Sequence, residues 1–161
     1  MSDKKSISSY RHIWSVLCQS SSVDKDTNNL FLFNILEEIT LKQPSGEGNI
    51  KEAEMLSSKK IIAIPFNFEI VSMLERLDDK EKGPLIKEAE LEFTDSYGKS
   101  LLRQNFEMNF PKGFRRLRYK INMNGLNIIT VGTYHFHFRI RESKNSPFEE
   151  VAKLPLDIKF S

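Results

Sequence analysis

The spacing of two histidines is the feature of this sequence that comes closest to a metal site. His135 and His137 lie two positions apart, so on a β-strand both imidazoles project from the same face. A zinc site needs at least a third protein ligand, and the only other histidine, His12, is distant in the sequence. We therefore expect structural histidines that are exposed or hydrogen-bonded, with no metal and no other cofactor.

A short polar run, Asp24-x-Asp26-x-Asn28, begins like a calcium-binding loop. An EF-hand requires glycine at the sixth position and glutamate at the twelfth, where this sequence has Asn29 and Ile35. We expect a turn in which aspartate and asparagine side chains bond nearby backbone amides. A sandwich-type loop that binds calcium under looser rules remains the alternative.

Nucleophilic catalysis has weak candidates. Cys18 lies in a segment expected to be buried, where a thiol acts as a small apolar side chain. The sequence contains neither a nucleophile elbow nor a glycine-rich phosphate-binding loop. We therefore expect no catalytic residues and a protein that is not an enzyme, with catalysis by His135 or Asp24 as the remaining alternative.

Cationic residues concentrate in one part of the sequence. Residues 111–141 contain seven Lys or Arg and no Asp or Glu, whereas residues 37–110 contain 15 acidic and 10 basic residues. If the two strands within residues 115–141 are neighbours, their outward side chains form one basic stripe. The predicted stripe consists of Arg116, Arg118, Lys120, His135, His137, Arg139 and Arg141. It would attract phosphate, nucleic acid or an acidic partner, but a solvated face partly neutralised by Glu88, Glu90 and Glu92 is the simpler interpretation.

The elements that must position these residues are strands, because apolar and polar residues alternate with a period of two through most of the sequence. The clearest case is residues 132–141, where one face carries Tyr134, Phe136, Phe138 and Ile140. The same alternation marks residues 61–73, 88–95, 102–110, 117–123 and 152–160. Pro65 lacks an amide donor, which predicts a bulge or a sheet edge at that position.

Two early segments depart from alternation. Residues 13–20 and 30–41 are apolar at successive positions, which is typical of strands covered on both faces, although a helix over residues 30–40 is an alternative. Eight strands with polar turns predict an all-β fold, a two-layer antiparallel β-sandwich that is immunoglobulin-like or similar, with a closed barrel as the alternative. A length of 161 residues fits a single domain over residues 1–161, with residues 1–11 as a flexible segment.

Four motifs stand out along the sequence: Trp14-x-Val16-Leu17-Cys18-x-Ser20, Asp95-x-x-Gly98-Lys99, Gly132-x-Tyr134-x-Phe136 and Leu154-Pro155-Leu156. Together they resemble an uncharacterised prokaryotic family of small all-β proteins. The resemblance implies a compact intracellular sandwich and no particular activity. The Gly132-x-Tyr134 step also resembles the tyrosine corner of immunoglobulin-like domains.

These observations predict a non-enzymatic protein-interaction or structural module whose protein partner is unidentified. Binding of an anion or nucleic acid to the stripe is the alternative, and nucleic acid is not favoured because the aromatic residues alternate inward. A homodimer through an edge that carries Pro65 or Pro155 stays open. The single cysteine predicts a reducing, cytoplasmic location, and no apolar stretch is long enough to span a membrane.

Overall fold

The structure, a computed structural model, describes residues 8–42, 61–79 and 82–161, which form nine strands. The strands are β1 (Tyr10–Val23), β2 (Leu30–Ile35), β3 (Glu38–Leu41), β4 (Ile62–Arg76), β5 (Leu85–Thr94), β6 (Ser100–Phe110), β7 (Arg116–Ile128), β8 (Gly132–Arg141) and β9 (Glu149–Phe160). The described residues contain no helix that is long and apolar enough to cross a membrane. β1 begins at Tyr10, within the segment that was expected to be flexible, and Tyr10 is buried.

The strands form a four-stranded sheet in the order β2-β1-β4-β7 and a five-stranded sheet in the order β3-β9-β8-β5-β6. All neighbours are antiparallel except β3 and β9, which are parallel. The predicted all-β sandwich is confirmed, with nine strands where eight were expected. The additional strand arises because residues 30–41 are divided between the two sheets, β2 in one and β3 in the other.

The core lies between the sheets and is built from the predicted inward side chains. Phe68 of the four-stranded sheet meets Phe136 of the five-stranded sheet edge to face, with ring centroids 5.8 Å apart. Phe136 in turn stacks on Phe93 at 4.5 Å. Such aromatic pairs add to the stability that burial of their apolar area provides. The alternation in residues 132–141 therefore identified the core face of β8 correctly.

β4 is irregular around Pro65, where the sequence predicted either a bulge or a sheet edge. The pairing of β4 with β7 shifts register between Ile64 and Asn67, which is a β-bulge, and β4 has a neighbour on both sides. The bulge is therefore confirmed, and the alternative of an edge at Pro65 is wrong. Gly125 of β7 faces this bulge with a φ of +93°, and a Cβ atom there would lie 2.7 Å from the Ile64 carbonyl oxygen.

Gly125→Ala is expected to lower the free energy of unfolding by about 2 kcal/mol or more, because alanine disfavours positive φ and its Cβ would collide with backbone. Gly113→Ala is the matched control, since Gly113 also has positive φ, +84°, but a Cβ atom at Gly113 would have no neighbouring atom within 4 Å. The control should cost about 1 kcal/mol. Urea titration of both variants measures the difference, and equal losses would contradict the close contact at Ile64.

Tyr134 forms the backbone contact expected of a tyrosine corner. Its hydroxyl donates to the Thr130 carbonyl oxygen at 2.6 Å and accepts from the amides of Thr130 at 3.2 Å and Ile129 at 3.3 Å. The phenol is fully buried. It therefore ties the end of β7 to the start of β8, where the chain passes from one sheet to the other.

Tyr134→Phe should lower the free energy of unfolding by about 2 kcal/mol, since it leaves buried backbone groups without this partner. Tyr97→Phe, at an exposed position in the β5–β6 turn, should change it by less than about 0.5 kcal/mol. Thermal or urea unfolding of the two variants provides the comparison. A loss of the same size in both would show that the Tyr134 bond does not stabilise the fold.

Candidate functional site

The structure separates the seven residues of the predicted basic stripe. β7, with Arg116, Arg118 and Lys120, is an edge of the four-stranded sheet and pairs with β4. β8, with His135 and the other predicted residues as far as Arg141, lies inside the five-stranded sheet between β9 and β5. The predicted pairing of β7 with β8 is therefore wrong, because residues 129–131 cross between sheets where an in-sheet hairpin was expected.

The arginines on β8 are paired with carboxylates of β5. Arg139 Nη1 lies 2.8 Å from Glu90 Oε1 and 2.6 Å from Glu92 Oε2, and Arg141 forms an ion pair with Glu88. The pairing follows from register, since Glu90 stands opposite Arg139 and Glu88 opposite Arg141. The simpler interpretation of this face, neutralisation by the β5 glutamates, is confirmed.

Glu92 is held charged by two guanidinium groups. Arg103 Nη2 of β6 approaches Glu92 Oε1 to 2.5 Å from the side opposite Arg139. Burial alone would raise the pKa of Glu92, but the hydrogen bonds from Arg103 and Arg139 outweigh it and lower the pKa to about 2. These charges stabilise one another, so the outer face of the five-stranded sheet offers little net attraction to an anion.

The two histidines of the predicted stripe lie on the outer face of the five-stranded sheet, and His137 bonds side chains of the neighbouring strands. His137 Nδ1 lies 2.7 Å from Glu150 Oε2, and its Nε2 lies 3.1 Å from Thr94 Oγ1. Burial, assisted by the positive charge of Lys153, lowers the pKa of His135, so this imidazole is neutral at pH 7. Among the described residues, no group of three or more His, Cys, Asp or Glu is placed to hold a metal ion.

A shallow depression of about 360 Å³ lies beside these histidines. Its lining consists of Glu92, Thr94, Asp95, Ser96, Gly98, His135, His137, Arg139 and Lys153. The order Glu150, His137, Thr94 matches the carboxylate, imidazole and hydroxyl of an acyl-transfer triad. However, the amides of Tyr97, Gly98 and Lys99 in the adjoining turn all bond Asp95, so they do not form an oxyanion hole.

The basic residues of β7 lie on the outer face of the four-stranded sheet, where Lys120 and Arg118 have partners. Lys120 Nζ lies 3.2 Å from Glu69 Oε1. The Arg118 guanidinium donates to the Asn28 backbone oxygen at 2.6 Å and to its side-chain oxygen at 3.1 Å. Arg116 is exposed and stands opposite Glu75 in the β4–β7 register.

The contact between Arg118 and Asn28 shows that the β1–β2 hairpin folds over this outer face. Asn28 is in the β1–β2 turn, whereas β7 is three strands from β2, a separation of roughly 14 Å in a flat sheet. A second hydrogen bond, from Ser21 Oγ of β1 to Glu69 Oε2 of β4 at 2.5 Å, also joins the hairpin to this sheet. Val71 is on the outer face, opposite Lys120, yet it is only 1% exposed.

Cys18 is buried close to the start of this folded hairpin. It stands opposite Glu69 in the β1–β4 pairing and has no exposed surface. Burial raises the pKa of the Cys18 thiol, so the protonated form is favoured. The predicted burial of this cysteine is confirmed.

The β1–β2 turn uses its acidic group for local bonds. Asp24 Oδ1 accepts from the backbone amides of Thr27 at 2.6 Å and Asp26 at 3.0 Å, and from the Thr27 hydroxyl at 2.8 Å. The bonds from Thr27 lower the pKa of Asp24. The expected turn is therefore confirmed, and Asn28, with a φ of +56°, completes it.

Sequence reasoning missed that β2, the second strand of this hairpin, is an edge strand with exposed apolar side chains. Phe31, Phe33 and Ile35 are 49%, 49% and 59% exposed, whereas the sequence indicated a strand covered on both faces. β2 pairs with β1 on one side, and no strand of the described part of the chain pairs with its other side. Its sequence, LFLFNI, contains no charged residue. The term β2 edge denotes this free side of residues 30–35.

Comparison with known proteins gives no functional assignment. No family model and no curated protein matches this sequence, so the resemblance to an uncharacterised prokaryotic family stays a prediction. Among solved structures, a beta-glucuronidase from glycoside hydrolase family 2 is similar over 62% of this chain, with 14% identity and a TM-score of 0.40. The similar region spans only 11% of that enzyme's chain, and a likeness of this size supports no argument about activity.

Proposed function

We propose that this protein is a non-enzymatic protein-interaction module that binds its partner along the β2 edge. The observation that carries the proposal is a free sheet edge with three exposed apolar side chains and no charge. Soluble proteins usually protect such edges with charged residues, proline or a covering segment, because unpaired backbone groups and apolar side chains favour association.

The other edge strands carry the protection that β2 lacks. β7 has Arg116, Arg118 and Lys120, β6 has Arg103 and Glu107, and β3 is only four residues long and begins with Glu38. Charges on an edge make the addition of another strand costly, since they must be desolvated or matched. The β2 edge is therefore the best candidate for strand addition among the described strands.

The chemistry of the edge defines the class of partner. Backbone amides and carbonyls of β2 would bond an extended segment, and an apolar row at alternate positions of that segment would cover Phe31, Phe33 and Ile35. We place this interaction in the cytoplasm, which the single, buried Cys18 supports. Anion binding, the alternative function, loses its main support because Arg139, Arg141 and Lys120 already pair with glutamates.

Photo-crosslinking in the native cell tests the proposed function. A benzophenone side chain at position 31 should give a crosslinked species of discrete mass. The same group at position 114 is the control, because Phe114 is 60% exposed but belongs to the β6–β7 turn. The absence of any discrete species from position 31, or equal species from both positions, would contradict the proposal.

A further inference from the structure

We infer that the partner at the β2 edge is a second copy of this chain, so that two β2 strands pair antiparallel about a twofold axis. This inference rests on the proposed function and names its partner. It would join the two four-stranded sheets into one continuous sheet across the dimer.

Symmetry makes the β2 edge complementary to itself. When a twofold axis passes perpendicular to the joined sheet, each side chain faces a residue that lies on the same side of that sheet. Exposed residues at alternate positions, Phe31 and Phe33, therefore meet exposed residues of the second copy. Apolar side chains match apolar side chains without a complementary charge pattern, so an identical strand satisfies the requirement.

The same operation disfavours β7, the other edge of the four-stranded sheet. Self-pairing of β7 would bring its cationic row, Arg116, Arg118 and Lys120, against an identical cationic row. Like charges directly opposite each other destabilise a strand pair. Pairing of β2 with itself brings no charges together, because the strand has none.

Backbone geometry limits the register. Asn34 has a φ of +50°, which interrupts the extended conformation near the end of β2. With the axis at Leu32, the regular residues 31–33 pair with one another and Asn34 lies outside this pairing. Each Phe31 then stands opposite the second copy's Phe33, giving two aromatic cross-strand pairs, and the two Leu32 residues stand opposite each other.

Disulfide trapping tests this register in the purified full-length chain. Leu32→Cys should form a crosslinked dimer under mild oxidation, because residues directly opposite in an antiparallel pair have Cα atoms about 4.5–5.5 Å apart, within the range of about 4.4–6.8 Å that a disulfide spans. Leu102→Cys, on the β6 edge and 39% exposed, is the control and should stay monomeric. The unsubstituted chain should not crosslink, since Cys18 is fully buried.

Sedimentation equilibrium supplies the second measurement. The unsubstituted chain should show a monomer–dimer equilibrium, and Phe33→Asp should raise its Kd about tenfold or more, whereas Phe114→Asp should leave it unchanged. Circular dichroism of both variants checks that they fold.

Each alternative result overturns the inference. A chain that stays monomeric, or a dimer unaffected by Phe33→Asp and not trapped through position 32, excludes a second copy at β2. If position 31 nevertheless crosslinks to a different protein in the cell, the proposed function stands while this inference fails. If position 31 gives no discrete species at all, the proposed function fails as well.

Discussion

Phe136→Ala is expected to lower the free energy of unfolding by about 4 kcal/mol. Phe136 has no exposed surface and contacts Phe93 and Phe68, which belong to opposite sheets. Truncation removes the transfer free energy of the ring and leaves a cavity between the sheets that the surrounding strands can fill only in part. Urea denaturation, with the unfolding slope compared between variants, measures the loss.

The matched control for this variant is Phe114→Ala. Phe114 is also a phenylalanine but is 60% exposed, so its truncation should change the free energy of unfolding by less than about 0.5 kcal/mol. Similar effects in both variants would mean that the aromatic contacts between the sheets do not hold the sandwich together.

Glu92 is expected to make stability depend on pH between about 4.5 and 2. Its pKa of about 2 in the folded protein is below the ordinary value of 4.5, so the folded state favours the charged form. The resulting stabilisation is fully present above pH 4.5 and is lost as the pH falls toward 2. A shift of this size corresponds to at most about 3 kcal/mol.

The free energies of unfolding of the unsubstituted chain and of Glu92→Gln, measured from pH 7 to pH 2, isolate this effect. Their difference should be greatest near neutral pH and shrink by up to about 3 kcal/mol at the acidic end. Glu107→Gln removes an exposed carboxylate of β6 and is the control, with a change in the free energy of unfolding of less than about 0.5 kcal/mol at pH 7. A constant difference for Glu92→Gln would show that Arg103 and Arg139 do not hold its charge.

Local features of this fold could be predicted from the sequence because they depend on residues that are close in the chain. The alternation around Phe136 identified the core face of β8, and the missing amide of Pro65 predicted a bulge or an edge, of which the bulge is present in β4. The Asp24 turn and the contact of Tyr134 with Thr130 are likewise determined over a few residues.

The sheet assignment of β7 and β8 could not be predicted in the same way. Both strands alternate as expected, so Arg118 and Arg139 do point outward, but they project from different sheets. A short connection is compatible with an in-sheet hairpin and with a crossing between sheets. Only the packing of the complete core, including the burial of Tyr134 at the crossing, distinguishes the two arrangements.

The β2 edge escaped prediction for a related reason. A run such as Leu30-Phe31-Leu32-Phe33 is typical of a strand covered on both faces, and the sequence does not show which strands lie at a sheet edge. The structure places this run on a hairpin that folds over the outer face, with its turn bound to Arg118. The exposure of Phe31 and Phe33 is therefore a property of the topology.

Hydrogen exchange of the β2 backbone is the sharpest test of partner binding at the β2 edge. The amides of residues 30–33 that do not bond β1 should exchange rapidly in dilute protein and slow as protein concentration rises, because the second copy's carbonyls accept them. Amides of the β6 edge serve as the reference and should keep a constant rate. Exchange at β2 that stays rapid at every protein concentration would contradict the pairing of two copies at this edge.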